Sequence, residues 1–148
     1  MTLTAMRLGA SDLASLSALL AAATLPVADL DQPGRCFFRF DDEETLVGYG
    51  GLEGGGHERL LRSLIVVQSK RGHGIGAHIL DAIETEAAAI GVRRLHLLTT
   101  TAATFFGRHG YRAADRASAP SEIAASAEFA GLCPASAAYL VKNLDQTI

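Results

Sequence analysis

The sequence lacks the features that would place it in a membrane, secreted or nucleic-acid-binding class. Its 148 residues contain no apolar run near the roughly 20 residues of a membrane span, and Met1–Ala10 lacks the pattern of a secretory signal. The formal net charge is −3 and no basic stripe is visible, which argues against nucleic acid as a partner. These absences predict a cytoplasmic protein that binds neither membranes nor nucleic acids.

Cysteine and histidine are too few and too dispersed for a metal site. Cys36 and Cys133 form neither a CxxC pair nor a zinc spacing, and a disulfide between them is not expected in a reducing compartment. His73 and His78 are five positions apart, whereas two ligands on one helix face need three or four. The sequence therefore predicts no metal.

What is present is an alternation of strand and helix patterns. Hydrophobic residues make up 49% of the chain and charged residues 20%, which is typical of a globular protein. Periodicity and turn signals predict strands at 3–8, 36–40, 45–53, 60–67, 94–100, 111–114 and 137–142, and helices at 12–25, 77–90, 104–109 and 120–130. The expected fold is one α/β (α+β) domain over residues 1–148 with a mixed sheet.

A glycine-rich loop joins the firmest strand, 60–67, to the helix that follows it. The loop reads Arg71-x-x-Gly74-x-Gly76, and such glycines let backbone N–H groups approach a ligand at the positive end of a helix. A pyrophosphate is the natural guest of that arrangement, although the same glycines also suit a simple tight turn. The spacing is not GxGxxG, and no Gly-Lys-Ser/Thr ending marks a nucleoside-triphosphate loop.

Two motifs in the right order give the loop a more specific meaning. Leu64-Ile65-Val66 followed by the 71–76 loop resembles the acyl-CoA-binding motif of the GNAT acetyltransferase superfamily, and Phe-Phe-x-x-x-Gly-Tyr at 105–111 resembles its next helix and turn. The resemblance implies a GNAT-like, mostly antiparallel twisted sheet flanked by helices, with a splayed pair of central strands. It also implies an N-acetyltransferase that uses acetyl-CoA as co-substrate and a small-molecule amine as acceptor.

The resemblance further implies which residues hold acetyl-CoA. The backbone of 64–66 would pair with the pantetheine amides, and the N–H groups of 72–77 would bind the pyrophosphate. Arg71 would add positive charge, or would simply be solvated. The implied contact residues are Leu64, Ile65, Val66, Arg71, Gly72, His73, Gly74, Ile75, Gly76, Ala77 and Phe106.

The chemistry needs a base, and the leaving thiolate takes up a proton. Glu53, at the end of the strand before 60–67, is the candidate base; it is otherwise an ordinary turn carboxylate, with Glu58 as the weaker alternative. Many family members carry a Tyr where this chain has Phe106, which has no proton to donate. The acid is then Tyr111, Tyr139 or water, or is unnecessary.

The residues 61–64 and 97–100 resemble the acetyltransferase domains of N-acetylglutamate synthases, which implies an amino-acid acceptor. A planar guanidinium suits an α-carboxylate, so Arg62 is the candidate anchor, unless it is a strand residue facing solvent. Ser63, Thr99 and Thr100 would supply hydroxyls to the same pocket, or are ordinary β-formers. Thr99 also replaces an Asn often found at its position.

The segment 128–137 resembles the C-terminus of small acetyltransferases encoded with arsenic-resistance genes. The implied acceptor is an amino-acid analogue, including organoarsenicals. Cys133 is then a metalloid ligand or a small buried residue before a Pro turn. Two other functions stay open: a non-catalytic acyl-CoA-binding regulatory module, and acetylation of a peptide or protein N-terminus. The apolar strand 137–141 is compatible with a homodimer.

Overall fold

A computed structural model describes residues 2–144 as one seven-stranded sheet with helices on its faces. The strands are β1 (Thr4–Arg7), β2 (Arg35–Asp42), β3 (Thr45–Glu53), β4 (Glu58–Val66), β5 (Arg94–Thr99), β6 (Arg112–Ala113) and β7 (Ala138–Asn143). The helices are α1 (Leu13–Ala22), α2 (Ile75–Ala89), α3 (Ala103–Arg108) and α4 (Ser121–Ala124). Within the part of the chain described, no helix is long and apolar enough to cross a membrane.

The sheet is mostly antiparallel, as predicted. Its strand order is β1-β2-β3-β4-β5-β7-β6, and β4–β5 is the parallel pair. A parallel pair needs a crossover, and α2 supplies it by carrying the chain from the end of β4 back to the start of β5. Strands β4 and β5 therefore lie side by side at the centre of the sheet.

Helix α2 packs closely on the sheet through one apolar face. Ile79 and Ile83 are fully buried in the main core cluster, and Ile75 is 5% exposed. At Gly48 in β3, an added Cβ would collide with the carbonyl oxygen of Ile65 and with the Ile79 side chain. Glycine at this position therefore lets the helix and the neighbouring strand approach closely.

The predicted helix at 120–130 is wrong as a continuous element. Helix α4 ends at Ala124, and a separate π-helical turn covers Glu128–Leu132. The Ser126 hydroxyl donates to the carbonyl oxygen of Ile123 at 2.7 Å, a local bond that competes with helix continuation. The break turns Glu128 inward, where it is 4% exposed.

Candidate active site

Strands β4 and β5 separate halfway along their length. Their parallel pairing covers Glu58 to Leu60 and ends at the pair Leu60–His96. Beyond that pair, β4 bulges: its register with β3 shifts, and Ser63 takes a positive φ of 57°. A bulge bends its strand and re-aims side chains, so it is the local cause of the splay.

The opening between the two strands is a groove of about 410 Å³. Its walls are the outer halves of β4 and β5, the start of α2 and the phenylalanines of α3. Six of the residues predicted to hold acetyl-CoA line it: Leu64, Ile65, Val66, Arg71, Gly76 and Phe106. The sequence motif and the groove therefore overlap, whereas the other five predicted residues, Gly72, His73, Gly74, Ile75 and Ala77, are not among those that line it.

The glycine loop shapes one end of the groove. Gly72 and Gly74 have φ values of 82° and 72°, which glycine adopts without strain. Helix α2 starts directly after Gly74 with no side-chain cap and no acidic residue in its first turn. Its positive end is therefore not neutralised by a side chain of that turn, which suits an anion.

The remaining loop residues contribute mainly through their backbone. The Ile75 side chain packs in the core, whereas His73 is exposed and Ala77 is partly buried. Arg71 Nε donates to the carbonyl oxygen of Val66 at 3.0 Å, so its side chain also ties the loop to the end of β4.

A second, smaller cavity of about 140 Å³ continues from the groove. The two cavities share six lining residues: Leu25, Arg62, Ser63, Leu98, Thr99 and Thr101. All four residues predicted to bind the acceptor, Arg62, Ser63, Thr99 and Thr100, line the smaller cavity. The structure thus brings them together at the end of the groove away from the glycine loop.

Arg62 lies at the centre of a buried ion cluster. Its Nη1 and Nη2 contact Asp29 at 2.6 and 2.7 Å, Nη1 contacts Glu53 at 2.9 Å, and Nε contacts Glu128 at 3.3 Å. Arg35 adds contacts to Asp29 at 2.8 Å and to Glu53 at 3.5 Å. The solvent-facing alternative for Arg62 is wrong, because its side chain has no exposure.

The same contacts speak against Arg62 as a carboxylate anchor. Each guanidinium nitrogen already faces a carboxylate of the protein. An incoming α-carboxylate would have to displace one of them and would leave it buried without its partner, at a cost of several kcal/mol.

Burial and pairing move the pKa values in this cluster in opposite directions. Burial opposes ionisation of Asp29, but hydrogen bonds from Arg62 and Arg35 prevail and lower its pKa to about 2. Burial raises the pKa of Glu128; Arg62 opposes that rise, and the charges of Glu53 and Asp29 add to it. Of Asp29 and Glu128, Glu128 is therefore the more readily protonated.

The two carboxylates predicted as candidate bases lie outside both cavities. Glu53 is 6% exposed and is held by Arg62 and Arg35. Glu58 instead accepts hydrogen bonds from Arg94 and His96 at the paired end of β4 and β5. Neither residue lines the groove or the smaller cavity.

The hydroxyls of the two tyrosines predicted as acids also bond to residues outside the two cavities. The Tyr111 hydroxyl donates to Glu84 at 2.8 Å, and the Tyr139 hydroxyl bonds His96 Nδ1 at 2.7 Å. Neither tyrosine lines the two cavities, whereas Phe106 lines the groove.

Sequence reasoning missed Asp29 and Glu128. Asp29 lies in the loop before β2, with no motif around it. Glu128 had a usable signal, because it is an isolated acid in the otherwise uncharged stretch 123–134. The resemblance of the segment 128–137 pointed to the acceptor and to Cys133, and gave Glu128 no role.

Cys133 lines the smaller cavity next to Glu128. Its thiol donates to Glu128 Oε1 at 3.7 Å, and burial together with that carboxylate raises the pKa of Cys133 to about 11. A thiol that stays protonated at neutral pH is a weak metal ligand. This geometry favours the structural role of Cys133 over the metalloid role.

Because His96 is buried, we predict that the free energy of unfolding depends on pH. Burial lowers its pKa despite the bond to Glu58, so the unfolded chain takes up this proton at a higher pH than the folded chain. We expect stability to fall as pH decreases from about 7 to 5, with a contribution from His96 of at most about 1.4 kcal/mol per pH unit. Urea unfolding of wild type and His96→Asn at pH 5, 6 and 7 measures this, and parallel curves for the two proteins would contradict it.

The comparison with protein families agrees with this architecture. A family model described as an acetyltransferase (GNAT) domain matches residues 33–113, more than half of the chain. The matched range includes β2 to β6, the glycine loop and all residues lining the groove except Ala23 and Leu25. The chain belongs to the GNAT acetyltransferase domain family.

Individual relatives are more distant. The chain is 36% identical over 56 residues to mouse N-alpha-acetyltransferase 80, a match over 38% of this chain and 18% of the mouse protein. Its fold resembles N-acetylglutamate synthase from Neisseria gonorrhoeae in complex with coenzyme A and N-acetyl-glutamate (TM-score 0.78, 19% identity, 99% of this chain, 36% of that chain). It also resembles a GNAT-family acetyltransferase from Staphylococcus aureus (TM-score 0.73, 16% identity, 97% of this chain, 99% of that chain).

These relatives differ in size from this chain. The match spans about a fifth of the mouse protein and about a third of the Neisseria chain, whereas the Staphylococcus protein is matched nearly end to end. At identities below 20%, the two solved structures establish the fold.

Proposed function

We propose that this protein transfers the acetyl group of acetyl-CoA to the amino group of a small molecule, an α-amino acid or an amino-acid analogue. The observation that carries the proposal is the continuity of the two cavities. The groove has the bare N-terminus of α2 at one end and opens into the smaller, hydroxyl-lined cavity at the other. Donor and acceptor then meet near Ser63 and Thr99.

The volume and lining of the groove are compatible with the co-substrate. Arg71 and Gly76 line it beside the start of α2, where the diphosphate would lie, and residues 64–66 of β4 line it where the pantetheine arm would run. Phe105 and Phe106 supply an apolar wall. The volume of about 410 Å³ lies within the range of about 300–1,000 Å³ typical of small-molecule sites.

The acceptor class is inferred from the smaller cavity. Its volume of about 140 Å³ is about a third of that of the groove, which suits a compact amine rather than a long chain. Hydroxyls of Ser63, Thr99 and Thr100 line it and can hold a carboxylate in place of Arg62. The fold relative in complex with N-acetyl-glutamate is in keeping with this class, and the link to arsenic resistance stays a prediction.

The N-terminus of a peptide or protein is a second candidate acceptor. The observation that favours it is the local similarity to mouse N-alpha-acetyltransferase 80. Both candidates present an α-amino group, but a peptide must extend out of the smaller cavity. The two classes are separated by comparing free amino acids with peptides that carry the same first residue.

Two measurements test the proposal. Isothermal titration should detect binding of acetyl-CoA, with competition by CoA. A free-thiol assay over amino acids, simple primary amines and short peptides should show CoA-SH release with at least one acceptor. Binding without release across the panel would favour the non-catalytic module, for which Phe106 is the motivating residue, and no binding would refute the proposal.

A further inference from the structure

The buried cluster around Arg62 holds more negative than positive charge. Asp29, Glu53 and Glu128 face two guanidinium groups, those of Arg35 and Arg62. Arg35 contacts Asp29 and Glu53, so each of these carboxylates pairs with two arginines. Among the described residues, the ion pair found for Glu128 is the 3.3 Å contact with Arg62 Nε. The uncompensated charge therefore lies at Glu128.

Glu128 is also the carboxylate of the three that borders the smaller cavity. Its side chain is 5% exposed, and within residues 2–144 the hydrogen bond that its Oε1 accepts is the long 3.7 Å contact from the Cys133 thiol. A buried carboxylate in this position is stabilised by a proton or by a cation. An amine enters such a cavity as an ammonium ion, which supplies both a positive charge and a proton.

We infer that Glu128 is the general base, which takes a proton from the acceptor ammonium bound in the smaller cavity. The inference rests on the proposed acetyl transfer and moves the base from Glu53, the residue expected from the sequence. Glu53 is turned towards two arginines and lines neither cavity. Its charge is already used in the cluster, so Glu53 acts as a positioning residue for Arg62.

The proton balance also accounts for Phe106. Glu128 takes one proton from R–NH₃⁺, and the freed lone pair attacks the thioester carbonyl carbon. The C–N bond forms, the C–S bond breaks, and the sulfur leaves with the electron pair. The nitrogen, now positively charged, gives its second proton to that sulfur, and Glu128 later releases its own proton to water. The products are the N-acetyl amine, CoA-SH and one H⁺, and no tyrosine acid is needed.

The groups that face Glu128 set its titration. They are Arg62 from β4, Glu53 from β3, Asp29 from the loop before β2 and Cys133 after the π-helical turn. Burial and the two carboxylates hold the proton on Glu128 to a higher pH than an exposed glutamate would. The raised pKa therefore means that the proposed base loses activity, as pH falls, at a higher pH than an exposed glutamate would.

The test compares Glu128→Gln with Glu53→Gln, two isosteric changes in the same cluster. The assay is CoA-SH release with the amine of the panel that reacts fastest, from pH 5 to 9, together with acetyl-CoA titration and thermal unfolding. We expect Glu128→Gln to lower kcat by about 100-fold, to leave the Kd for acetyl-CoA within about twofold, and to abolish the acid limb of kcat/KM. Glu53→Gln should keep the acid limb.

Each outcome decides the inference. Wild-type rates and an unchanged acid limb in Glu128→Gln would overturn it, as would loss of that limb in Glu53→Gln alone. If Glu128→Gln does not fold, the wild-type profile decides, since the absence of an acid limb in the wild type refutes a base of this kind. If wild type binds acetyl-CoA but releases no thiol with any amine, the acetyl transfer itself fails and the base assignment falls with it.

Discussion

Gly74→Val is expected to raise the Kd for acetyl-CoA by about 100-fold or more. Gly74 has a φ of 72°, which a β-branched residue does not adopt without strain, and it directly precedes α2. The substitution therefore turns the amides of 72–77 away from a common point. Each hydrogen bond to a charged group contributes about 1.5–3 kcal/mol, so the loss of two suffices for this effect. Isothermal titration measures it.

Gly91→Val is the matched control for this change. Gly91 follows the other end of α2, has a φ of 91°, and has no atom within 4 Å of an added Cβ. Gly74 is equally open, so the two variants carry similar backbone strain at opposite ends of one helix. We expect similar losses in Tm and a changed Kd in Gly74→Val alone. A folded Gly74→Val protein with wild-type affinity would show that the loop does not hold the diphosphate.

Arg62→Met is expected to lower the free energy of unfolding by about 3–5 kcal/mol at pH 7. Methionine fills a similar volume but leaves Asp29 and Glu53 with Arg35 as their remaining partner. Glu128 loses the ion pair found for it among the described residues. Removal of one partner from a buried ion cluster costs more than the cluster itself contributes, because the desolvated charges stay behind. Chemical denaturation at constant pH measures the loss.

The pH dependence of this loss follows from the carboxylates. In wild type the pKa of Asp29 is about 2, so its stabilising contribution is present above the ordinary range near 4 and is lost as pH falls towards 2. In Arg62→Met, Asp29 and Glu128 lose the arginine that lowers their pKa values, so they hold protons to higher pH and the deficit should shrink as pH falls from about 7 to 5. Arg59→Met, on the same strand with an exposed bond to the carbonyl oxygen of Gly56, is the control. A deficit below 1 kcal/mol, or one that is independent of pH, would contradict the described cluster.

The segment that we propose for acetyl-CoA binding was recognisable from the sequence because its determinants are local. The strand 60–67, the 71–76 loop and the start of α2 follow one another along the chain, and glycine conformations and helix N-termini act over a few residues. The splay of β4 from β5 was predicted only through resemblance. Its cause, the bulge at Ser63, has no signal in the local residue pattern.

The acceptor side was predicted in part. Arg62, Ser63, Thr99 and Thr100 do line one cavity, because the bulged middle of β4 lies beside the end of β5 there. The roles assigned to Arg62 and Glu53 depended on burial and partners, which residue type alone does not give. The sequence pattern around an arginine in a strand is the same whether the side chain faces a substrate, water or three carboxylates.

The sequence by itself determined the order of strands and the glycine loop, since periodicity and turn chemistry act between near neighbours. Membership of the GNAT family followed from the resemblance of two motifs and the match of the family model. Only the tertiary structure decided which charges meet. Asp29 and Glu128 lie on either side of Arg62 in the chain, far from it in sequence, and all three become buried neighbours once the sheet and the π-helical turn form. A carboxylate takes its proton affinity from that enclosure, because desolvation and opposite charge act through space rather than along the chain.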